Sequence, residues 1–301
     1  MGLNMADAPL IPDLPGFSLP EKRSKDMISA IPCSGKCQIR PLPGGNGRKN
    51  THSENEETSS GLHSRKESGY TVPRPASAAE GDIMEAYTPF DRIFQSCGKI
   101  WHFRRADMDK LWESMAEQEG KEDRLPYWNE IWPSSLALAG WLAEMQEDIT
   151  GKNCLDMGCG IGFTALMGRW LGAEVTAMDY EAQALEYAKI NEFLNGVPGV
   201  NWQVEDWREP KLPAESFDYI WAGDIMYEKD FADPIAKYIS TMLKSGGKAW
   251  IAEPRRDIFH HLLDILHEHH LTHRLICYLP ISPLTEQEMP VTVNIWQIAK
   301  A

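Results

Sequence analysis

The stretch Asn153 to Gly162, N-C-L-D-M-G-C-G-I-G, constrains this chain more than any other part of it. A short apolar run ends in Gly158, Gly160 and Gly162, and Phe163 to Trp170 then follows a helical pattern. Strand, tight glycine turn and helix form a unit that lets a nucleotide approach bare backbone, because glycine has no Cβ and reaches positive φ without strain. Asp179 closes a second apolar run, Glu174 to Met178, and stands 23 residues after Asp156. A carboxylate there can accept hydrogen bonds from both hydroxyls of a ribose, so the spacing fits an adenosyl cofactor.

The dinucleotide pattern G-x-G-x-x-G requires glycine where this chain has Phe163. A glycine triplet can also be a plain turn joining strand to helix, so the rest of the chain carries the decision. Composition divides it sharply. Residues 1–83 hold nine of the 20 prolines, no tryptophan, and only Phe17 and Tyr70 as aromatics; all 11 tryptophans fall in 84–301. The first segment has too little apolar surface to offset its ordering entropy and is expected to be a disordered, low-complexity tail. Met84 is a candidate start. The remaining 218 residues suffice for one well-buried α/β domain, with 84–125 as an N-terminal hairpin and helix cap and 126–301 as the main domain.

The tail carries ten basic and ten acidic residues, so the net charge of −14 belongs to 84–301. Such a surface disfavours nucleic acid and favours a basic partner. No run of about 18 apolar residues exists, so no membrane span is expected, and the N-terminus lacks an apolar signal core. Met1-Gly2 opens like a myristoylation signal, but position 6 is Ala. The six cysteines are scattered; Cys154, Cys159 and Cys277 sit in expected strands or in the glycine turn, which suits reduced thiols and a cytoplasmic location. Cys33 and Cys37 lack a second pair for zinc. The six histidines between His260 and His273 straddle a helix and the next strand and lack H-E-x-x-H, so they read as a solvated helix face, and no metal is expected.

Arg92 to Arg105 alternates around Ser96-Cys97-Gly98-Lys99 and predicts a hairpin. Asp107 or Asp109 then caps a helix to about Glu119, and Ser134 to Met145 predicts another helix. Beyond it, strands at 153–157, 174–178, 200–204, 217–222 and 248–252 alternate with helices at 162–171, 181–195, 231–243 and 257–269. Two further strands, Leu271–Tyr278 and Val291–Ala299, have no helical pattern between them and are expected to pair antiparallel. The predicted fold is α/β, a Rossmann-like sheet of seven strands, mostly parallel with the last antiparallel, and helices on both faces. Ligands of such sheets bind at the carboxyl ends of the strands. Those ends carry Gly158-Cys159-Gly160, Asp179-Tyr180, Glu205-Asp206-Trp207, Gly223-Asp224-Ile225-Met226-Tyr227 and Glu253-Pro254-Arg255.

Taken together, these residues resemble the class I, seven-β-strand S-adenosylmethionine-dependent methyltransferases, and more narrowly methyltransferase family 16, which includes protein lysine methyltransferases. The resemblance covers about Leu125 to Ala301. It rests on Pro126-Tyr127-Trp128-Asn129-Glu130-Ile131-Trp132-Pro133-Ser134 ahead of the glycine turn, on Asp206-Trp207, and on Asp224-x-x-Tyr227, the family's D-x-x-Y. Glu253-Pro254-Arg255-Arg256 departs from the Asp-Pro-Gly-Arg of the family's flavoprotein methylases.

The resemblance implies the following roles. Gly158, Cys159 and Gly160 cradle the methionine part of S-adenosylmethionine, with Asp156 buttressing the turn or reaching the amino group. Asp179 holds the ribose, Trp207 packs on the adenine and Asp206 accepts from its exocyclic amine. Trp132 and the backbone at Gly223 also line the cofactor site, and Trp128 belongs to the core. Asp224 binds and orients the acceptor amine and Tyr227 lines its channel. The implied activity is methyl transfer to a protein lysine or N-terminal amine on a basic or lysine-bearing protein. A small-molecule N- or O-methyltransferase, or a non-catalytic S-adenosylmethionine-binding module, remains open on the same fold. An open acidic groove near Asp224 would suit a protein substrate, and enclosure by residues 87–125 a small one.

Overall fold

The computed structural model describes residues 40–41, 90–116, 126–282, 284 and 289–301. All belong to one compact unit, Ile31–Ala301; a separate unit, Met1–Ala30, lies outside the described residues. The expectation of a disordered tail over 1–83 also falls outside them, except at β1 (Arg40–Pro41), which pairs antiparallel with β2 (Arg92–Ser96). β2 and β3 (Lys99–Phe103) form the expected hairpin, with Ser96 opposite Lys99. α1 (Met108–Ala116) follows, and Asp107 Oδ1 accepts the Asp109 amide at 3.0 Å, so Asp107 is the capping residue.

The main domain runs α2 (Pro133–Glu144), α3 (Gln146–Ile149), β4 (Asn153–Met157), α4 (Phe163–Trp170), β5 (Glu174–Asp179), α5 (Ala182–Asn195), β6 (Asn201–Val204), β7 (Phe217–Gly223), α6 (Ala232–Met242), β8 (Leu243–Glu253), α7 (His260–Ile265), β9 (Leu271–Ile281) and β10 (Val291–Lys300). Seven strands order as β6-β5-β4-β7-β8-β10-β9. The first five are parallel, and β10 inserts antiparallel between β8 and β9. The expected helix over 257–269 is instead a 3-10 turn, the short α7 and a second 3-10 turn.

Strand period two explains why both faces of the sheet are covered. On β7, Ile220 and Ala222 join one apolar cluster while Trp221 joins the other; on β8, Ala249 and Ile251 oppose Trp250 and Ala252 in the same way. The cluster with Trp221 and Trp250 packs under α2, α4 and the hairpin, and the other packs under α6 and α7. Trp101, Trp221 and Trp250 are among the largest fully buried side chains, each contributing about 1.5–3 kcal/mol through removal from water.

Two devices fasten the hairpin to the main domain. Phe163, the residue that breaks the dinucleotide pattern, meets Phe94, Trp101 and Phe103 edge-on with ring centroids 5.2, 5.7 and 5.5 Å away. The second device is a ladder of asparagines along the chain from β3. His102, Arg104 and Ala106 each donate their amide to an asparagine Oδ1, of Asn195, Asn191 and Asn129, at 2.9, 2.7 and 2.8 Å. The same three asparagine amides donate back to the carbonyls of residues 102, 104 and 106. Asn191 and Asn195 match residues 104 and 102 because four helical residues rise about 6 Å and two strand residues about 6.6 Å. Asn191 Nδ2 also reaches the Ile161 carbonyl at 3.0 Å, which ties the glycine turn into the ladder.

Cysteine chemistry departs from the sequence reading. Cys154 and Cys159 are free and buried, whereas Cys97 and Cys277 are disulfide-bonded. The expectation that Cys277 is a reduced thiol is therefore corrected, and with it part of the case for a reducing compartment. No helix among the described residues is long and apolar enough to cross a membrane.

Candidate functional site

The carboxyl ends of β4, β5, β6 and β7 open into one cleft, whose empty space of about 620 Å³ is continuous with open solvent. Its walls include Trp132, Gly158, Cys159, Gly160, Asp179, Trp207, Gly223, Asp224 and Tyr227. Nine of the expected site residues, separated by up to 95 positions, thus meet because their strands are neighbours. Asp156 and Asp206 do not line it.

The glycine turn is locked by its own amides. Gly158 and Cys159 both donate to the Met178 carbonyl at 2.9 Å, and Gly160 donates to Asp179 Oδ2 at 2.9 Å. Gly160 holds φ +51°, and a Cβ there would lie 2.8 Å from the Trp128 carbonyl oxygen, so only glycine fits. Gly223 packs closely for a different reason: a Cβ would lie 3.3 Å from the Oγ of Ser135 at the start of α2, a tight contact that Ser135 would have to ease by a few tenths of an ångström. That close approach brings Trp132 and Ser135 to the cleft wall. Cys159 is no nucleophile, since burial, Asp179 and Asp156 hold its thiol well above the ordinary range.

Asp179 is 6 % exposed; its Oδ1 accepts the Glu181 amide at 3.0 Å ahead of α5, and its second oxygen holds Gly160. Burial raises its pKa to about 6 against the help of these amides. It therefore serves at once as a turn cap and as a carboxylate at the cleft wall, with lone pairs left over for hydroxyl donors.

Asp156 sits beneath the turn, 1 % exposed. The Thr164 hydroxyl donates to its Oδ2 at 2.7 Å; Oδ1 lacks a well-formed hydrogen bond, although the Trp221 side chain and the Ala165 amide also favour the carboxylate, and burial outweighs all three and raises the pKa to about 7. Its position suits the buttressing role. Asp206 is gripped by Arg208, whose Nε lies 2.9 Å from both oxygens, and it also accepts the Arg208 amide at 2.8 Å. That local chelate fixes the Asp206 carboxylate beside Trp207.

Trp207 is 6 % exposed, packs edge-on to Phe231 at 5.4 Å and leaves its Nε1 without a partner. Aromatic rings continue around the cleft: Phe231 meets Tyr227 at 5.1 Å, Tyr227 meets Tyr127 at 5.2 Å, and Tyr127 meets Trp132 at 5.9 Å. Burial and the neighbouring Tyr180 push the Tyr227 hydroxyl far up, so it stays protonated. Trp128, expected in the core, packs against it but also lines the cleft, its ring tilted by 39° to that of Tyr187 at 5.8 Å. Tyr127, Glu130, Ser135, Tyr180, Glu181 and Ile225 complete the wall and were not singled out from the sequence. For Tyr127, Glu130 and Tyr180 the signal was adjacency to motif residues; Ser135 and Ile225 carry no chemical signal of their own.

Asp224 turns the chain after β7 at φ +57°, a strained value for a residue with a Cβ. Its amide donates to the Ala252 carbonyl at 2.9 Å, and its side chain is 6 % exposed. Burial raises its pKa, opposed by the Arg256 guanidinium. Arg256 departs from β8 beside an equally strained Arg255 at φ +61°. This is the place of the glycine in the Asp-Pro-Gly-Arg variant of the motif, which explains glycine there.

These residues fit S-adenosylmethionine. The positive-φ turn offers bare backbone, Asp179 offers a ribose acceptor, and Asp156 Oδ1 and Trp207 Nε1 are buried polar atoms without well-formed hydrogen bonds beside the turn and the aromatic wall. Among the described residues no three His, Cys, Asp or Glu side chains gather to hold a metal ion.

A family model described as "Methyltransferase domain" matches residues 154–247. The electron transfer flavoprotein beta subunit lysine methyltransferase of Rattus norvegicus is 30 % identical over 155 residues, covering 50 % of this chain and 58 % of that protein. Its counterpart in Danio rerio is 31 % identical over 146 residues, covering 47 % and 56 %. A histidine protein methyltransferase 1 homolog of Dictyostelium discoideum is 28 % identical over 127 residues, covering 40 % and 41 %. The chain thus spans little more than half the length of the first two.

Proposed function

We propose that this chain, which carries a class I methyltransferase domain, uses S-adenosylmethionine to methylate an amine of a protein, a lysine side chain or an N-terminus. The observation that carries the reading is the meeting of Asp224 and Tyr227 with the glycine turn and Asp179 on one cleft. The similarity to lysine methyltransferases supports it. A protein acceptor is favoured because, among the described residues, none of 90–116 lines the cleft, whose wall includes the exposed Glu130 and the half-buried Glu181.

When bound, the cofactor supplies a methyl group already activated on a sulfonium. The protein's task is then alignment, exclusion of water and control of one proton. Gly158 and Gly160 would admit the methionine part, Asp179 the ribose and Trp207 the adenine, with Asp156 setting the turn from below. The cleft would have to align the acceptor nitrogen with that methyl carbon, and the electron pair of the carbon–sulfur bond would leave with sulfur. An ammonium has no lone pair to attack with. At neutral pH its deprotonation costs about 4–5 kcal/mol from a pKa near 10.4. Asp224 would draw the acceptor in, and Tyr127, Tyr227 and Trp132 would sheathe its alkyl chain.

Titration calorimetry of the full chain with S-adenosylmethionine and its demethylated product, repeated with Asp179→Ala, tests the cofactor. Micromolar binding lost in the variant is the expected result, and no binding of either ligand refutes the proposal. Transfer of tritiated methyl to electron transfer flavoprotein β subunit then tests the acceptor. Labelling confined to small metabolites in a filtered extract would favour a small-molecule methyltransferase instead.

A further inference from the structure

Asp224 does not stand alone. Arg256 Nε lies 3.1 Å from its Oδ1 and Nη2 lies 3.1 Å from its Oδ2, a two-pronged grip that fixes the carboxylate plane. Both partners hang from the end of β8. The Asp224 amide is bonded to Ala252, and the Arg256 amide donates to Glu253 Oε2 at 3.0 Å. Glu253 is itself held by Asn294 Nδ2 at 2.7 Å and Trp296 Nε1 at 3.1 Å on β10. The arginine side chain is 44 % exposed and is not part of the cleft wall, so it acts on the cleft through Asp224. Four carboxylates line that cleft, from Glu130, Asp179, Glu181 and Asp224, and none of its lining residues is basic.

We propose that Arg256 is a positioning residue for the acceptor: it holds Asp224 ionised and oriented and offsets its charge, so that the incoming amine gives up its proton at the site. This rests on the reading of the cleft as an amine methyltransferase site. A carboxylate by itself favours the charged form of a nearby amine and would trap an unreactive ammonium. A guanidinium on the same carboxylate opposes that effect while leaving each oxygen a second lone pair to accept an N–H from the neutral amine. The other ionisable groups facing Asp224 cannot replace it. Glu253 behind it acts in the opposite sense, Tyr227 stays protonated, Asp179 is bonded to the glycine turn and Glu130 is paired with Arg105. The released proton passes to solvent, and methyl transfer to the neutral amine then yields a methylated ammonium.

The test uses the full chain, tritiated S-adenosylmethionine and electron transfer flavoprotein β subunit from pH 6 to 10. In Arg256→Gln the pH of half-maximal rate should rise by about one unit, with about tenfold less activity at pH 7 and convergence near pH 10. Arg256→Lys keeps the charge but not the two-pronged grip, so it should restore the midpoint of the profile at a reduced maximal rate, and calorimetric affinity for S-adenosylmethionine should be unchanged in both. An equal loss at every pH, or no shift, overturns the proposal. If the wild type labels no acceptor, carbon-13 NMR of the Asp224 carboxyl, assigned with Asp224→Asn, gives the answer. Its titration should move up in Arg256→Gln, and an unchanged titration overturns the proposal. Absence of cofactor binding by the wild type is a separate outcome that sinks the functional reading itself and the inference with it.

Discussion

Replacing Asp156 by Asn should make the protein more stable at high pH and relatively less so at low pH. The carboxyl is buried, one oxygen lacks a well-formed hydrogen bond, and its pKa stands at about 7 rather than 3.8. An acid whose folded pKa is raised stabilises the fold while it is protonated. That contribution is fully present below the unfolded pKa near 4 and is lost as pH climbs to about 7. Ionising it inside the fold costs about 4 kcal/mol once complete, of which about 3 kcal/mol is incurred between pH 5 and pH 8. The amide cannot ionise, so its own packing cost is the same at both pH values and cancels in the comparison. The stability of Asp156→Asn relative to wild type should therefore improve by about 3 kcal/mol from pH 5 to pH 8, seen as a relative gain in Tm of about 6–12 °C. Urea denaturation at the two pH values without cofactor measures it. An equal difference at pH 5 and pH 8 would show that the Thr164 hydroxyl already holds Asp156 ionised, and the reasoning would fail. Affinity for S-adenosylmethionine should fall in the same variant, a trade of function for stability.

Gly160→Ala should cost about 2–4 kcal/mol in urea denaturation, because alanine resists φ +51° and its Cβ meets the Trp128 backbone rather than a movable side chain. Tyr238→Phe removes the hydroxyl that donates to buried Glu205 at 2.8 Å. It should destabilise by about 1–2 kcal/mol without changing cofactor affinity, since Glu205 keeps the Lys211 and Leu212 amides. Arg255→Gly relieves a left-handed residue on the surface. It should raise stability by about 0.5–1 kcal/mol, net of the extra freedom of glycine in the unfolded chain.

The strand and helix alternation was legible because both faces of a parallel sheet must be apolar and each crossover needs a helix. The asparagine ladder was not. Asn129, Asn191 and Asn195 look like ordinary polar residues, and only the free edge of the chain after β2 gives them carbonyls and amides to bracket. Asp206 reads as a ligand next to Trp207, and only the folded chain shows Arg208, two positions on, bonded to both of its oxygens. Trp128 reads as core, and the turn through 127–129 puts it against both core and cleft.

What the sequence determined by itself was local: a glycine turn after a strand, an acid after the next strand, and D-x-x-Y after a later one. Each depends on short spacings set by strand and turn geometry. The tertiary structure decided which of those residues share a wall and what charge they present. Asp224 and Arg256 are 32 positions apart and meet because β7 and β8 pair in parallel, with Gly223 opposite Ala252. The guanidinium on that carboxylate follows from a long-range register, which no local pattern encodes.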